Sequence, residues 1–189
     1  MVIYLVRHTP TDIPPGVIYG QTDVPVNGAY DTLMPMIRRK LPVQDITASY
    51  SSPLRRCYDL ARDICPLLET KTDPRLMELN FGDWEMKTWD TIDQEKAAYW
   101  GNHFVETPCP GGESFEQLHL RVNSFWRELH KQPEDAVVLI STHAGVIRAI
   151  LSDVTDTPLK DMFDIKVSAG SITRLARTNG TDQLVFANQ

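Results

Sequence analysis

Cysteine is scarce in this chain of 189 residues: only Cys57, Cys65 and Cys109 occur. Three scattered thiols make neither a disulfide framework nor the paired spacing of a zinc site, so reduced thiols in a cytosol are the default expectation. Long apolar runs are also missing. No stretch approaches the ~20 residues that span a bilayer, so no membrane partner is expected. The first residues carry no basic segment followed by an apolar stretch and a cleavage site, so secretion is not expected either. Basic charge is in deficit, with 19 lysines and arginines against 25 aspartates and glutamates, a net charge of −6. Nucleic-acid surfaces need a basic excess, so nucleic acid is excluded as an expected partner. A small anionic substrate stays open, because a local arginine cluster outweighs a distant acidic surface at a screening length of ~8 Å. Internal repeats and low-complexity linkers are absent, and no pattern specifies an oligomer.

With 42% hydrophobic and 23% charged residues, the composition fits one domain over residues 1–189 with a full-sized core. Strand and helix signals alternate, which predicts an α/β fold with three layers, an α/β/α sandwich. Val2 to Val6 reads as a buried strand, too continuously apolar for a half-exposed one. A long loop from Thr9 to Gly28 follows, rich in proline and glycine. Long loops in compact domains are often functional. A helix is expected near Ala29 to Leu41, kinked or split by Pro35. A second strand falls around Ile46 to Tyr50, and a helix from Pro53, in its first turn, to Cys65. Leu76 to Trp84 reads as irregular and Asp90 to Trp100 as helical. Ser114-Phe115-Glu116-Gln117 has the form of a capping box, with Leu118, Val122, Phe125 and Leu129 at helical spacing beyond it. Ala136 to Ile140 is another buried strand, followed by a helix from Gly145 to Leu151, and strands near Ile172–Arg177 and Gln183–Ala187 would close the sheet.

Three predicted strands end on reactive groups: Val6 on Arg7-His8-Thr9, Ile140 on Ser141-Thr142-His143-Ala144-Gly145, and the strand at 46–50 on Ser51-Ser52-Pro53-Leu54-Arg55-Arg56. Open parallel sheets bind ligands outside the carboxyl ends of their strands. Two histidines and at least two arginines are therefore expected at one edge. Phosphoryl transfer needs a nucleophile, charge stabilisation on the equatorial oxygens and a proton for the leaving group. Neutral imidazole is a competent nucleophile, and a hydrogen bond from one ring nitrogen of His8 to a backbone carbonyl would aim the other at phosphorus. Arg7 and Arg56 can each fork two phosphate oxygens. His143, charged or donating, can take another, and the helix-start amide of Ala144 adds a donor. Glu78, in a loop among apolar neighbours that could raise its pKa, is the candidate general acid.

Singly, each group also has a structural reading. An arginine–histidine dipeptide is common, His103, His119 and His130 lack ligand spacing, and Arg55 fits a surface charge on the opposite helix face. Gly111-Gly112 has no following lysine and fits a turn before a capped helix, while Trp84 and Trp89 fit core or lid. The joint arrangement carries the functional reading.

These residues also resemble the histidine phosphatase superfamily, which includes the cofactor-dependent phosphoglycerate mutases, over nearly the whole chain. Leu5-Val6-Arg7-His8-Thr9 resembles the opening motif, with threonine where glycine is commonest. Ser51 through Cys57 resembles the second arginine motif, whose catalytic arginine matches Arg56. Glu78 through Gly82 with Trp84-Glu85 resembles the acid loop, although Met86 replaces a glycine. Gly111-Gly112-Glu113-Ser114 and Thr142-His143-Ala144-Gly145 resemble the last two motifs. The resemblance implies a phosphoglycerate mutase-like sandwich with a mostly parallel central sheet. It implies a phosphohistidine at His8, Glu78 giving and recovering the proton, and Arg7, Arg56 and His143 holding the phosphoryl group. No metal or cofactor is implied, and the partner is a small phosphorylated substrate. The stretch from Arg7 to Pro10 and from Pro15 to Pro25 is similar to the α-ribazole phosphatases of cobalamin synthesis, with Ile18 in place of a cysteine and Val26 of a leucine. By that likeness Tyr19, Gly20, Gln21 and Thr22 would lie over the phosphate and read the leaving group. Alternatives are mutase-type transfer to an isomeric acceptor and an inactive phosphate-binding module.

Overall fold

The apolar residues of the first strand, β1 (Val2–Arg7), divide between two faces. Ile3 and Leu5 enter one buried cluster, and Tyr4 and Val6 enter another. Strand β4 (Val137–Thr142) divides in the same way, Val138 and Ile140 against Leu139. Side chains of a strand alternate across the sheet, so each cluster marks one face, and a sheet covered on both faces is a three-layer sandwich. The computed structural model describes all residues, 1–189.

Six strands form one sheet in the order β3-β2-β4-β1-β5-β6, with β2 spanning Ala48–Ser51, β3 Thr70–Thr72, β5 Ile172–Thr178 and β6 Thr181–Phe186. The first four run parallel; β5 and β6 are antiparallel additions. Helices α1 (Tyr30–Lys40) and α2 (Arg55–Ile64) supply Ile37, Leu60 and Ile64 to the cluster around Tyr4. Helices α3 (Gln94–His103), α4 (Phe115–Leu129) and α5 (Ala144–Val154) cover the opposite face. The capping box forms as expected: Ser114 Oγ accepts the Gln117 N–H, and Gln117 Oε1 accepts the Ser114 N–H.

Two expectations need correction, and one strand carries no sequence signal. Pro35 does not split its helix, because α1 runs unbroken from Tyr30 to Lys40. The missing N–H removes one ladder bond, while Ile37, with Leu33 and Met34 beside it, anchors the helix on the apolar cluster. Pro53 lies outside α2, whose cap is the extended Leu54. Strand β3 was not anticipated. Its Thr-Lys-Thr sequence has no apolar residue to signal burial, as suits a short edge strand.

Candidate active site

Register explains how the reactive strand ends meet. Strands β2, β4 and β1 are consecutive in the sheet. Val6 and Ser51 both pair with Ser141, and Arg7 pairs with Thr142. Ser52 therefore emerges level with Arg7 and Thr142, and His8 and His143 follow one step beyond them. The His8 N–H still reaches the Thr142 carbonyl at 3.1 Å, and the Ser52 N–H reaches Ser141 at 3.1 Å. The imidazoles of His8 and His143 lie 5.2 Å apart, centroid to centroid, at 62°.

His8 is buried, and its Nδ1 lies 2.8 Å from the carbonyl of Thr9. A carbonyl only accepts, so Nδ1 carries the ring proton and Nε2 keeps its lone pair. Burial, then the Arg56 charge, and to a smaller extent that of Arg7, depress the pKa to about 3 against the pull of the Thr9 bond. The ring is neutral at ordinary pH. Burial, with His8, Arg56 and Arg7 nearby, likewise holds His143 well below 6.5. Of the two roles foreseen for His143, burial favours the neutral donor. Its Nε2 lies 2.9 Å from Ser52 Oγ, which also accepts the Leu54 N–H. When the Ser52 hydroxyl gives its proton to Nε2, the His143 ring proton sits on Nδ1. The buried thiol of Cys57 packs on the same ring at 3.4 Å from Nε2; burial raises its pKa, so it stays a thiol.

Arg56 enters from the first turn of α2 and is buried despite its charge. Two main-chain carbonyls of the long loop hold it: Thr22 at 2.8 Å from Nη1 and Gly20 at 2.5 Å from Nη2. The guanidinium lies 5.5 Å from the centre of the Tyr19 ring. Arg7 donates to the Val167 carbonyl at 2.7 Å. Each of these terminal nitrogens has a second N–H, and Nε of both arginines is buried with no protein partner, as is Thr9 Oγ1. Buried polar groups are ordinarily paired, so this donor-rich environment suits an oxyanion.

Glu78 reaches the site from the irregular segment between β3 and α3. Its carboxylate accepts the Gly145 N–H at 3.1 Å and the Leu79 N–H at 3.0 Å. The Gly145 amide at the start of α5 and the loop amide of Leu79 are thus its hydrogen-bond partners. The Ala144 N–H, first in α5, donates to no protein group. The Gln21 side-chain amide donates one N–H to the Glu78 carbonyl at 3.1 Å.

Sequence reasoning missed the residues that hold these loops. Glu85 accepts N–H groups from Gln21, Thr22 and Phe81 and the hydroxyl of Thr22. Burial works against its charge, but these donors outweigh burial and keep its pKa below the usual range. Glu113, just before α4, and Arg121, on it, brace the acid segment. Arg148, beyond Gly145, donates to the Ile165 carbonyl two residues from the anchor of Arg7. No local pattern marks these braces: Glu113 and Arg121 lie eight positions apart, but the backbone they grip lies 33 to 46 positions away. Arg55 is exposed, and His119 and His130 pair with Asp153 and Asp182. A cavity of about 520 Å³ beside α2, lined by Asp23, Tyr30, Arg55, Arg56 and Asp59 among others, includes neither imidazole. The strand-end cluster, not this cavity, holds the reactive groups.

A family model described as histidine phosphatase superfamily (branch 1) matches residues 3–189. A Hydrogenobacter thermophilus protein named "Putative phosphoserine phosphatase 2" is 29% identical over 99% of this chain and 95% of its own length. The adenosylcobalamin/alpha-ribazole phosphatase of Escherichia coli is 28% identical over 63% of this chain and 61% of its own. Among solved structures, the alpha-ribazole phosphatase from Shigella flexneri superposes with a TM-score of 0.91 at 24% identity, covering 100% of this chain and 96% of that one.

Proposed function

The chain belongs to the histidine phosphatase superfamily, and from that premise we propose that it is a metal-independent phosphomonoesterase acting through a phosphohistidine on His8. The observation that carries the reading is the neutral His8 ring, tied through Nδ1 to the Thr9 carbonyl and 5.2 Å from His143. Arg7, Arg56, His143 and the Ala144 amide hold the phosphoryl oxygens. His8 Nε2 forms a bond to phosphorus as the ester P–O bond breaks, and the Glu78 carboxyl gives its proton to the departing oxygen. The Glu78 carboxylate then takes a proton from water. The water oxygen attacks phosphorus, the N–P bond breaks, and inorganic phosphate leaves. Preorganised donors around the phosphoryl group stabilise the charge that develops on its oxygens.

For the leaving group we propose α-ribazole, as its 5′-phosphate or within the phosphorylated cobamide. The likeness of residues 15–25 to that branch and the E. coli relative support this. Phosphoserine is the second reading, favoured by the full-length H. thermophilus relative. Wild-type enzyme quenched during turnover is expected to carry covalently bound phosphate that is acid-labile, and His8→Ala to lose both label and turnover. Full activity of His8→Ala ends the proposal. Turnover on α-ribazole 5′-phosphate against phosphoserine decides the substrate. Interconversion of phosphoglycerates with added 2,3-bisphosphoglycerate would replace hydrolysis by mutase transfer, and no release from any ester would leave a binding module.

A further inference from the structure

We propose that the Glu113–Arg121 pair is a positioning device for the catalytic acid, setting where Glu78 stands relative to the leaving group. The inference rests on the general-acid role proposed for Glu78. Its starting point is a difficulty. Residues 77–81 belong to no helix or strand, so no ladder fixes the backbone from which Glu78 projects. Backbone groups outside ladders must be satisfied by other means. Loops also place functional groups less accurately than helices or strands do.

Arg121, on α4, meets that need. Nη1 donates to the Arg75 carbonyl at 2.7 Å and Nη2 to the Glu78 carbonyl at 2.9 Å. The guanidinium thus grips the segment at Glu78 and three residues before it. Glu113 holds Arg121 through two contacts, Nε to Oε2 at 3.0 Å and Nη2 to Oε1 at 2.6 Å. The same Glu113 Oε1 accepts the Asn80 N–H at 3.0 Å, and the Glu113 N–H donates to the Asn80 carbonyl at 2.9 Å. The pair therefore brackets Glu78 from both sides while touching none of the proposed reacting atoms. Its side chains are only 20% and 15% exposed. A paired, forked guanidinium is well suited to this, because its geometry is rigid where a lysine's is not.

Misplacing a catalytic group by about 1 Å can cost on the order of 10²-fold in rate. The test exploits what an acid is needed for. An alkyl phosphate requires protonation of its leaving oxygen, and p-nitrophenyl phosphate, with an acidic leaving group, does not. Arg121→Met is expected to lower kcat/KM on glycerol 1-phosphate by roughly 10²-fold. Its kcat/KM on p-nitrophenyl phosphate, which reports only the step that expels the leaving group and not the later hydrolysis of phosphohistidine, should stay within about threefold, because the leaving group there needs little general-acid help. Arg121→Lys, with one ammonium in place of the fork, is expected to fall between, and it carries the same comparison if the methionine variant does not fold. Equal loss on both esters, the mark of a merely structural role, or no loss on either, overturns the inference. Glu78→Gln separates the two levels of the argument. Selective loss in Glu78→Gln without it in the Arg121 variants refutes the positioning role alone. No selectivity in Glu78→Gln removes the acid role and this inference with it.

Discussion

Gly145→Ala separates activity from stability more sharply than any other single change in the site. Gly145 is the second residue of α5, and its N–H donates to the Glu78 carboxylate. A Cβ at this position would overlap Glu78 Oε1, while its next neighbour, Leu118 Cδ1, sits at an ordinary 3.4 Å. The overlapping atom is the end of a flexible side chain, so the fold accommodates the methyl by moving the carboxylate. Alanine gains up to ~1 kcal/mol over glycine inside a helix. The weakened charge-assisted bond, worth about 1.5–3 kcal/mol when intact, is partly regained from water by both partners. Net stability should change by no more than ~1 kcal/mol, a Tm shift of about 2–4 °C in either direction. Catalysis has no such compensation. Moving the carboxylate by about 1 Å should cost on the order of 10²-fold in kcat on alkyl phosphates. The assay is kcat on glycerol 1-phosphate and p-nitrophenyl phosphate beside a thermal melt. Full turnover on the alkyl ester, or a loss of several kcal/mol of stability, would refute the placement of Glu78 against α5.

Other outcomes follow from the same geometry. His8 has a pKa of about 3 in the folded protein against 6.5 for the free side chain, so below pH 6.5 the unfolded chain binds a proton that the folded one refuses. This contribution to stability is complete above pH 6.5 and is lost as pH falls toward 3; His8→Gln should flatten urea-derived stability between pH 6.5 and 4, and an unchanged slope would contradict the burial argument. Gly20→Ala drives a Cβ into the backbone carbonyl of Leu79, which cannot swing aside. It should cost about 1–3 kcal/mol and weaken inhibition by inorganic phosphate, because the Gly20 carbonyl holds Arg56; wild-type stability and phosphate affinity would count against the close packing. Tyr19→Leu removes an aromatic face worth about 0.5–1.5 kcal/mol, so KM for an aromatic leaving group should rise several-fold while stability stays near wild type. Equal KM values would take Tyr19 out of leaving-group recognition.

How much of this was legible in the sequence depends on where each signal resides. Apolar runs such as Val2–Val6 and Val137–Ile140 announce buried parallel strands, and Ser114–Gln117 announces a helix start, because these signals are local. The meeting of Arg7, His8, Arg56 and His143 was legible too, since strand ends of one sheet share an edge. The boundaries of α2 and α3 shifted by a few residues because several neighbouring residues suit a helix start and only Asp93 and Leu54 act as the caps. Strand β3 was hidden because three polar residues pair on the sheet edge through their backbone alone. The braces were hidden for a different reason. Glu85 with Thr22, and Arg121 with Glu78, are separated by 63 and 43 positions, and nothing in either local sequence indicates the other.

The same bonding pattern bears on what selects the substrate. Ile18 and Val26, where the chain departs from the α-ribazole phosphatase pattern, stand on either side of the loop that covers Arg56. Ile18 is buried in the main apolar cluster, and its N–H and carbonyl are taken by Lys87 and Met86. Its identity therefore tunes packing beneath the loop and presents nothing to a leaving group. Between these residues the loop's backbone is already committed: the carbonyls of Gly20 and Thr22 to Arg56, and the N–H groups of Gln21 and Thr22 to Glu85. Gln21 spends its side-chain amide on Glu78. What this loop has left to offer a leaving group is the ring of Tyr19, half-buried above Arg56, and the side-chain oxygen of Gln21. The phosphoryl groove is built from main chain and charge, which is indifferent to what departs. The aromatic face of Tyr19 therefore supports the ring-bearing leaving group proposed above over a small amino acid.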